Sequence, residues 1–458
     1  MSAPSLVWLR DDLRIADNPA LTTAAERGPV VVLYVLDEAS PGIRPLGGAS
    51  RWWMHGSLEA LGADLAERGV PLVLRRGAAE AIVPEVADAV GAEAVFWNRR
   101  YGGAERDIDT AVKADLRERG LDVASFAASL LFEPWTVQTG SGTPFSVFTP
   151  FWNACRALPE PRHPLPEPDL TGAPAGSADV LADWEVVLQD WDLRPARPDW
   201  AGGLREGWTP GERGGRAQLE AFLRNDIGDY AGGRNTLGAR VTSRLSPHLR
   251  WGEVSPYQAW HAVAASGADG ESVARFLAEL GWREFAAHVL FHFPDLATRN
   301  WRRQFDAFPW RPVDEEKLRA WQQGRTGIPV VDAGMHELWI TGTMHNRVRM
   351  ITASFLTKNL LMDWRLGEQW FWDTLVDADG ASNPFNWQWV AGSGADAAPY
   401  FRIFNPELQG KKFDPDGVYV ARWAPEYLTG DGPEPIVDLA ESRRAALDAY
   451  EVVRRGGA

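Results

Sequence analysis

The stretch Val30-Val31-Val32-Leu33-Tyr34-Val35-Leu36 carries no charge and is rich in β-branched residues. Such a run fits a strand buried on both faces, as in a parallel sheet covered by helices. Leu6–Leu9, Leu72–Leu74 and Ala94–Trp97 read the same way, and Ala-rich helical stretches such as Ser50–Arg68 and Ala79–Val90 lie between them. Asn18-Pro19 offers an N-cap followed by a proline at the first helical position. The pattern predicts a doubly wound α/β domain with a parallel, Rossmann-like sheet over residues 1–130. No GxGxxG follows the first strand and the chain has no GxxxxGK, so neither the dinucleotide fingerprint nor the P-loop is present.

Working outward, residues 131–205 read as an interdomain connector. From Leu158 the sequence turns Pro-, Gly- and Asp-rich (LPEPRHPLPEPDLTGAPAGSAD). Residues 206–458 have a helical pattern with few strand signals, and Ser255-Pro256-Tyr257-Gln258 places an N-cap, an N1 proline and an N3 amide in capping-box order. The length of 458 residues suits two or three domains, and 45% apolar with 24% charged residues permits a large core. Sixty-two acidic residues against 47 Lys and Arg give a net charge of −15. That disfavours indiscriminate attraction to nucleic acid while leaving room for a local basic groove. The single cysteine, Cys155, excludes an intrachain disulfide, a CxxC zinc site and a cysteine-ligated iron–sulfur cluster. No apolar run approaches the ~18 residues of a membrane span, and the opening MSAPSLVWLRDD lacks the core of a signal peptide. A cytoplasmic chain without membrane contact is expected. Twenty-three Trp against 8 Tyr fit either heavy core packing or indoles that stack on bases or carry electrons, and composition does not choose.

Four segments of the helical half carry chemistry. Thr242-Ser243-Arg244-Leu245-Ser246-Pro247 sets three hydroxyls and a guanidinium before a helix with Ser246 as its expected N-cap. That arrangement suits a diphosphate and reads equally as a plain cap. Glu279, Trp282 and Arg283 fall at i, i+3 and i+4. A carboxyl, an indole and a guanidinium on one face read a flat polar ring, and the commoner alternative is a solvated Glu279–Arg283 pair. Asn346, Arg349 and Met350 repeat the spacing, either lining a pocket for a planar ligand or, for Met350, filling the core. The densest segment is Asp377-Ala378-Asp379-Gly380-Ala381-Ser382-Asn383-Pro384-Phe385-Asn386-Trp387-Gln388-Trp389. Its two aspartates alone make a poor cation site, and hydrogen bonds to a ligand or a salt bridge to Arg349 are the alternatives. Gly392–Ala397 fits GxGxxA without a surrounding βαβ unit, and His288 and His292 lack the glutamate of HExxH. No metal is expected.

With these residues in view the chain resembles the photolyase/cryptochrome family over nearly its whole length, most nearly the bacterial cyclobutane pyrimidine dimer photolyases. TSRLSPHLRWGEVSP (242–256), AELGWREF (278–285), TGIPVVDAGMHEL (326–338), TMHNRVRMITASFLTKNLLMDWR (343–365) and NWQWVAGSGADAAPYFRIFNP (386–406) carry the resemblance in the family's order. It implies an N-terminal α/β antenna domain and an all-α C-terminal domain holding FAD. Tyr230, Thr242, Ser243, Arg244, Leu245 and Ser246 match the family's flavin phosphate and ribityl contacts. Asp377, Ala378 and Asp379 match its flavin-ring and diphosphate segment, with Arg349 as partner of the first aspartate and Arg283 also on the cofactor. Asn383 matches the residue beside the flavin N5, where repair enzymes typically carry an amide and many plant photoreceptors an aspartate. Trp387, Trp364 and Trp310 are similar to the inner, middle and surface members of the family's electron chain.

The same resemblance assigns Glu279, Trp282, Asn346, Met350 and Trp389 to a pocket for a flipped-out pyrimidine dimer in UV-damaged DNA. It assigns Arg234, Arg347 and Arg402 to the flanking phosphates. A fused dimer pairs badly, so its extrusion costs less than flipping an intact base. Phe276 stands where the family commonly has Trp, and Asn383-Pro384-Phe385-Asn386 replaces the usual Asn-Asn-Gly-Gly. Trp97-Asn98-Arg99-Arg100-Tyr101 followed by Glu105 resembles an antenna pocket for methenyltetrahydrofolate, with 8-hydroxy-deazaflavin or an empty site as alternatives. The implied function is light-driven splitting of cyclobutane dimers by a monomer with no obligate protein partner. A cryptochrome photoreceptor without repair is the alternative. A (6-4) lyase would need paired histidines where Asn346 follows His345, and a generic flavin electron carrier would not need the phosphate-gripping arginines.

Overall fold

Five parallel strands build the sheet, as a computed structural model describing residues 3–172, 183–397 and 401–456 shows. They are β1 (Ser5–Leu9), β2 (Val30–Leu36), β3 (Leu72–Arg76), β4 (Ala94–Asn98) and β5 (Asp122–Phe126), in the order β3-β2-β1-β4-β5. Every residue of β1, β2 and β4 is buried, because helices cover both faces of the sheet. β1 pairs with β2 on one side and β4 on the other. The strand order therefore reverses beside β1, which opens a crevice at the carboxyl ends of the strands. The edge strand β5, DVASF, escaped the sequence reading because one neighbour and partial exposure demand no apolar run.

Local signals set most helix boundaries. Asn18 accepts from the Leu21 N–H and Pro19 opens the helix Pro19–Arg27, and Ser255 and Gln258 form the full capping box of Pro256–Ala264. The two Ala-rich stretches form Gly48–Ala66 and Ala79–Val90. One cap differs from expectation. Leu245 already has helical dihedrals (φ −86°, ψ −8°), so Ser246 is the first residue of a five-residue helix, Ser246–Arg250, and caps nothing with its side chain. From Glu212 onward no strand occurs among the described residues.

The start of the expected connector belongs to a core. In the helix Phe148–Ala157, Phe151, Trp152 and Cys155 are buried against Phe285 and Leu280 of the helical half. Residues 158–172 are mostly exposed, and the connector's 173–182 lie outside the described residues. Buried carboxylates rivet the two halves to each other and to the segment that joins them. Glu212 accepts from the Ile15 and Ala16 N–H groups (2.6 and 3.2 Å), Glu284 from those of Leu131 and Phe132 (2.8 and 3.1 Å), and Glu253 from Trp53 Nε1 (3.0 Å). A buried carboxylate persists only when its oxygens find such donors.

Candidate active site

Six helices and two loops enclose a cavity of about 510 Å³ in the helical half. The helix Gly270–His292 contributes Phe276, Glu279, Trp282 and Arg283, and Asn346–Ser354 contributes Asn346, Arg347, Arg349 and Met350. Phe371 comes from Trp364–Thr374, while Asn383, Trp387 and Trp389 come from Ser382–Ala391. Tyr230, Arg234, Ser243, Ser246, Asp377, Ala378 and Asp379 complete the wall. The i, i+3, i+4 spacings thus aim their side chains at one space. The five residues assigned to a dimer pocket all face it.

The aspartates divide their duties. Arg349 holds Asp377 through two parallel bonds (3.1 and 2.9 Å), the fork geometry that suits a guanidinium and a carboxylate. Asp379 caps the next helix by accepting from the Ala381 and Ser382 N–H groups (2.8 and 2.6 Å). Arg250 donates from Nε to the Ala378 carbonyl (2.8 Å) and from Nη1 to Asp11 (2.6 Å), joining this wall to the α/β half. Asn383 is buried, and its Nδ2 donates to the Glu368 carbonyl (3.0 Å) and to Glu368 Oε1 (2.8 Å). Burial pushes the Tyr230 phenol up to about 12. Burial, then the Arg347 charge, lower His345 to about 4, so at neutral pH its ring is uncharged.

Several residues sit differently from expectation. Glu279 pairs with Arg234 (2.5 Å) and leaves Arg283 alone. Arg283 lies on the wall but donates to the Ser129 carbonyl (2.7 Å). Thr242, Arg244 and Leu245 are not on the wall. Arg244 has φ +53° and turns outward to the Gly207 carbonyl (2.9 Å) and over the Trp208 ring, while Leu245 is sunk in the core. Arg347 donates to Asn235 (2.7 Å) and lies over Phe413. Arg402 is exposed, 5.8 Å from the Trp389 ring centroid and off the wall. Of the motif at 386–406, residues 398–400 lie outside the described residues. His288 accepts the Phe145 N–H (3.1 Å) and packs edge-on against His292, a core arrangement.

Two of the three tryptophans are buried and the third is partly exposed. Trp387 is buried on the cavity wall, Trp364 is fully buried with Nε1 donating to Asn300 (2.9 Å), and Trp310 is half-buried against Phe308. Gly367, one turn beyond Trp364, makes room for Trp387, since a Cβ there would lie 2.0 Å from its Cη2. Among the described residues the ring neighbours of Trp387 are Phe371 (5.0 Å) and Trp321 (6.2 Å), so the three indoles do not stack on one another.

Sequence reading missed Phe148, which stacks on Trp282 at 3.7 Å and 9° and fixes the plane of that indole. No local periodicity couples those two residues. It also missed Lys412, whose ammonium lies over the Phe413 ring, as the Arg347 guanidinium does, and Glu368, which accepts from the Asn383 amide.

A second cavity, about 710 Å³, opens at the carboxyl ends of β1, β2 and β4. Arg99, Arg100, Tyr101 and Glu105 line it, whereas Trp97 and Asn98 are buried in the sheet. Arg10 pairs with Asp109, Arg99 with Glu133 and Arg250 with Asp11, while Arg100 Nε is buried without a hydrogen-bond partner. Arg250, Arg283, Asp379 and Ser382 border both cavities.

Known proteins match this arrangement. A family model described as DNA photolyase matches residues 5–169, and one described as the FAD binding domain of DNA photolyase matches residues 276–432. A deoxyribodipyrimidine photo-lyase of Agrobacterium fabrum is 47% identical, with 99% of each chain covered. Cryptochrome-1 of Arabidopsis thaliana is 38% identical over 92% of this chain and 63% of its own length. The crystal structure of a class III photolyase from Agrobacterium tumefaciens superposes with a TM-score of 0.94 at 46% identity, covering 99% of this chain and 98% of that one.

Proposed function

The chain belongs to the DNA photolyase family, and from that premise we propose how its residues divide the work. The activity is light-driven DNA repair, the splitting of cyclobutane pyrimidine dimers by an enzyme that binds FAD. The observation that carries the reading is that one cavity of about 510 Å³ gathers Glu279, Trp282, Asn346, Met350 and Trp389 together with Asn383 and Trp387.

The wall chemistry fits FAD. Hydroxyls of Ser243 and Ser246, with Arg250 and Arg283, line the part suited to a diphosphate, and the buried Asp377–Arg349 pair and Asn383 offer fixed polar groups to a flat ring. Tyr230, Ala378 and Asp379 complete the cradle. Thr242, Arg244 and Leu245 hold its loop, Leu245 by burial and Arg244 through Gly207. When bound and reduced, FAD supplies one electron to the dimer on blue-light excitation and takes it back after the ring opens.

Every other task falls to the protein. Trp282, braced by Phe148, and Trp389, fixed by its bond to the Asp396 carbonyl (3.0 Å), take the apolar edge of the dimer with Met350. Glu279 and Asn346 satisfy its carbonyl and N–H groups, which would be costly to leave unpaired in a dry pocket. Arg234, Arg347 and Arg402, joined by Lys412, hold the flanking phosphates. Trp387, Trp364 and Trp310 carry electrons inward to restore the reduced cofactor.

We divide the chain into an antenna domain at 1–130, a connector at 158–205, and a helical domain made of 131–157 and 206–458. The larger cavity takes the antenna pigment beside Glu105 and the unpartnered Arg100 Nε, with methenyltetrahydrofolate and 8-hydroxy-deazaflavin as the two candidates. The protein works as a monomer in the cytoplasm. No helix among the described residues is long and apolar enough to cross a membrane. The resemblance to a cryptochrome favours a photoreceptor as second reading, and Asn383 together with the complete dimer pocket favours repair.

The test is blue-light illumination of the reduced, FAD-loaded protein with an oligonucleotide carrying one thymine dimer. Thymine is restored in the light and not in the dark. No restoration by a protein that holds FAD would overturn the reading.

A further inference from the structure

We propose that Arg44, a residue of the α/β half, is a positioning residue for the repair reaction: through Glu368 it fixes which end of the Asn383 amide faces the cavity. The inference rests on the reading that FAD occupies that cavity.

Arg44 lies between β2 and the helix Gly48–Ala66, on the wall of the larger cavity. Its guanidinium binds both oxygens of Glu368 (2.7 and 3.0 Å) and lies over the Trp372 ring, 4.1 Å from its centroid. Glu368 is 2% exposed. On its other side the same residue takes the Asn383 amide, with Nδ2 2.8 Å from Oε1 and 3.0 Å from the Glu368 carbonyl. A carboxylate with both oxygens on a guanidinium only accepts, as does a carbonyl. A flipped Asn383 would set its own oxygen against two acceptors, so the amide has one allowed orientation, with Oδ1 left for the cavity. An acceptor there favours a ring nitrogen that carries hydrogen, and the flavin N5 carries one only when reduced.

Loss of Arg44 acts in one direction by either route. If Glu368 keeps its charge, an uncompensated anion sits one residue from the cavity and disfavours adding an electron. If the carboxyl instead takes up a proton it becomes a donor, the amide is free to turn, and the acceptor facing the ring is lost. Both outcomes shift bound FAD towards its oxidised form. The link also runs from the antenna side of the molecule to the reaction side, because Arg44 faces one cavity and Asn383 the other.

The experiment measures the one-electron midpoint potential of bound FAD in the dark for the native chain, Arg44→Met, Glu368→Gln and the double variant. Gln at 368 retains an acceptor oxygen without needing a cation. Arg44→Met shifts the equilibrium towards oxidised FAD by about fivefold or more, the net worth of one hydrogen bond. Adding Arg44→Met to Glu368→Gln produces less than half that shift. A smaller shift in Arg44→Met, a shift towards the reduced form, or an equal shift in both backgrounds overturns the proposal, since a purely structural role for Arg44 would act regardless of Glu368. Should Arg44→Met not fold or not hold FAD, Arg44→Lys, which offers a point charge in place of the fork, must shift the potential in the same direction by about twofold or more. A native chain that neither binds FAD nor repairs dimers defeats the reading of the cavity. One that does both while the potentials stay still defeats only the role of Arg44.

Discussion

Arg234 and Glu279 hold each other across the mouth of the cavity (2.5 Å) with side chains 17% and 35% exposed. Both side chains are partly buried, so the pair costs more to separate than a fully exposed one, and on the proposed reading DNA gives each partner a new task in return. Replacing Glu279 by Ala leaves a dimer N–H unpaired. Its preference for dimer-containing over undamaged DNA then falls by about 1–3 kcal/mol, read from paired binding isotherms, and an unchanged preference removes Glu279 from recognition. Arg234→Met, in contrast, weakens binding to all sequences and lowers the slope of log affinity against log salt by about 0.9. At this scale the spacing of Glu279 and Trp282 was legible, because one helix turn fixes it. The pairing with Arg234 and the brace from Phe148 were not, since each joins residues that only the tertiary fold makes neighbours.

Elements are held by groups whose charge depends on packing. Glu284, in the middle of Gly270–His292, is 2% exposed and accepts two N–H groups of the segment that follows β5. Burial raises it to about 7 from 4.5, with Arg283 and the two N–H groups pulling the other way. Between those values the folded chain holds the proton more tightly than the unfolded chain, so stability falls as pH rises through that window. At about 1.4 kcal/mol per pH unit, the loss amounts to about 3 kcal/mol. Glu284→Gln keeps an acceptor for the two N–H groups and abolishes the slope. Thermal unfolding from pH 5 to 8 should therefore show the native chain losing stability relative to the variant, and parallel curves contradict the assignment. Element boundaries were readable where the cap lies next door, as at Asn18-Pro19 and Ser255-Pro256. They were not readable at Ser246, where Leu245 enters the helix first, nor at β5, which needs few apolar residues at a sheet edge.

The whole molecule is two halves with a shared wall. The parallel sheet was legible because its central strands are buried on both faces, and the helical half because its segments recur in a family's order. The clasp between them, Glu212 to Ile15, Glu253 to Trp53, Arg250 to Asp11 and Arg44 to Glu368, was not, because each link matches a polar group to a partner that folding supplies. The acidic balance of −15 coexists with a local group of arginines, Arg234, Arg347 and Arg402, so on the proposed reading local charge rather than the total decides what binds. The central claim is that FAD and the damaged dinucleotide occupy the same cavity, close enough for an electron to pass. The fluorescence lifetime of reduced FAD in the holoprotein tests it directly, with saturating dimer-containing DNA against the same DNA undamaged. The lifetime shortens only with the dimer; an equal lifetime with both DNAs bound contradicts the account.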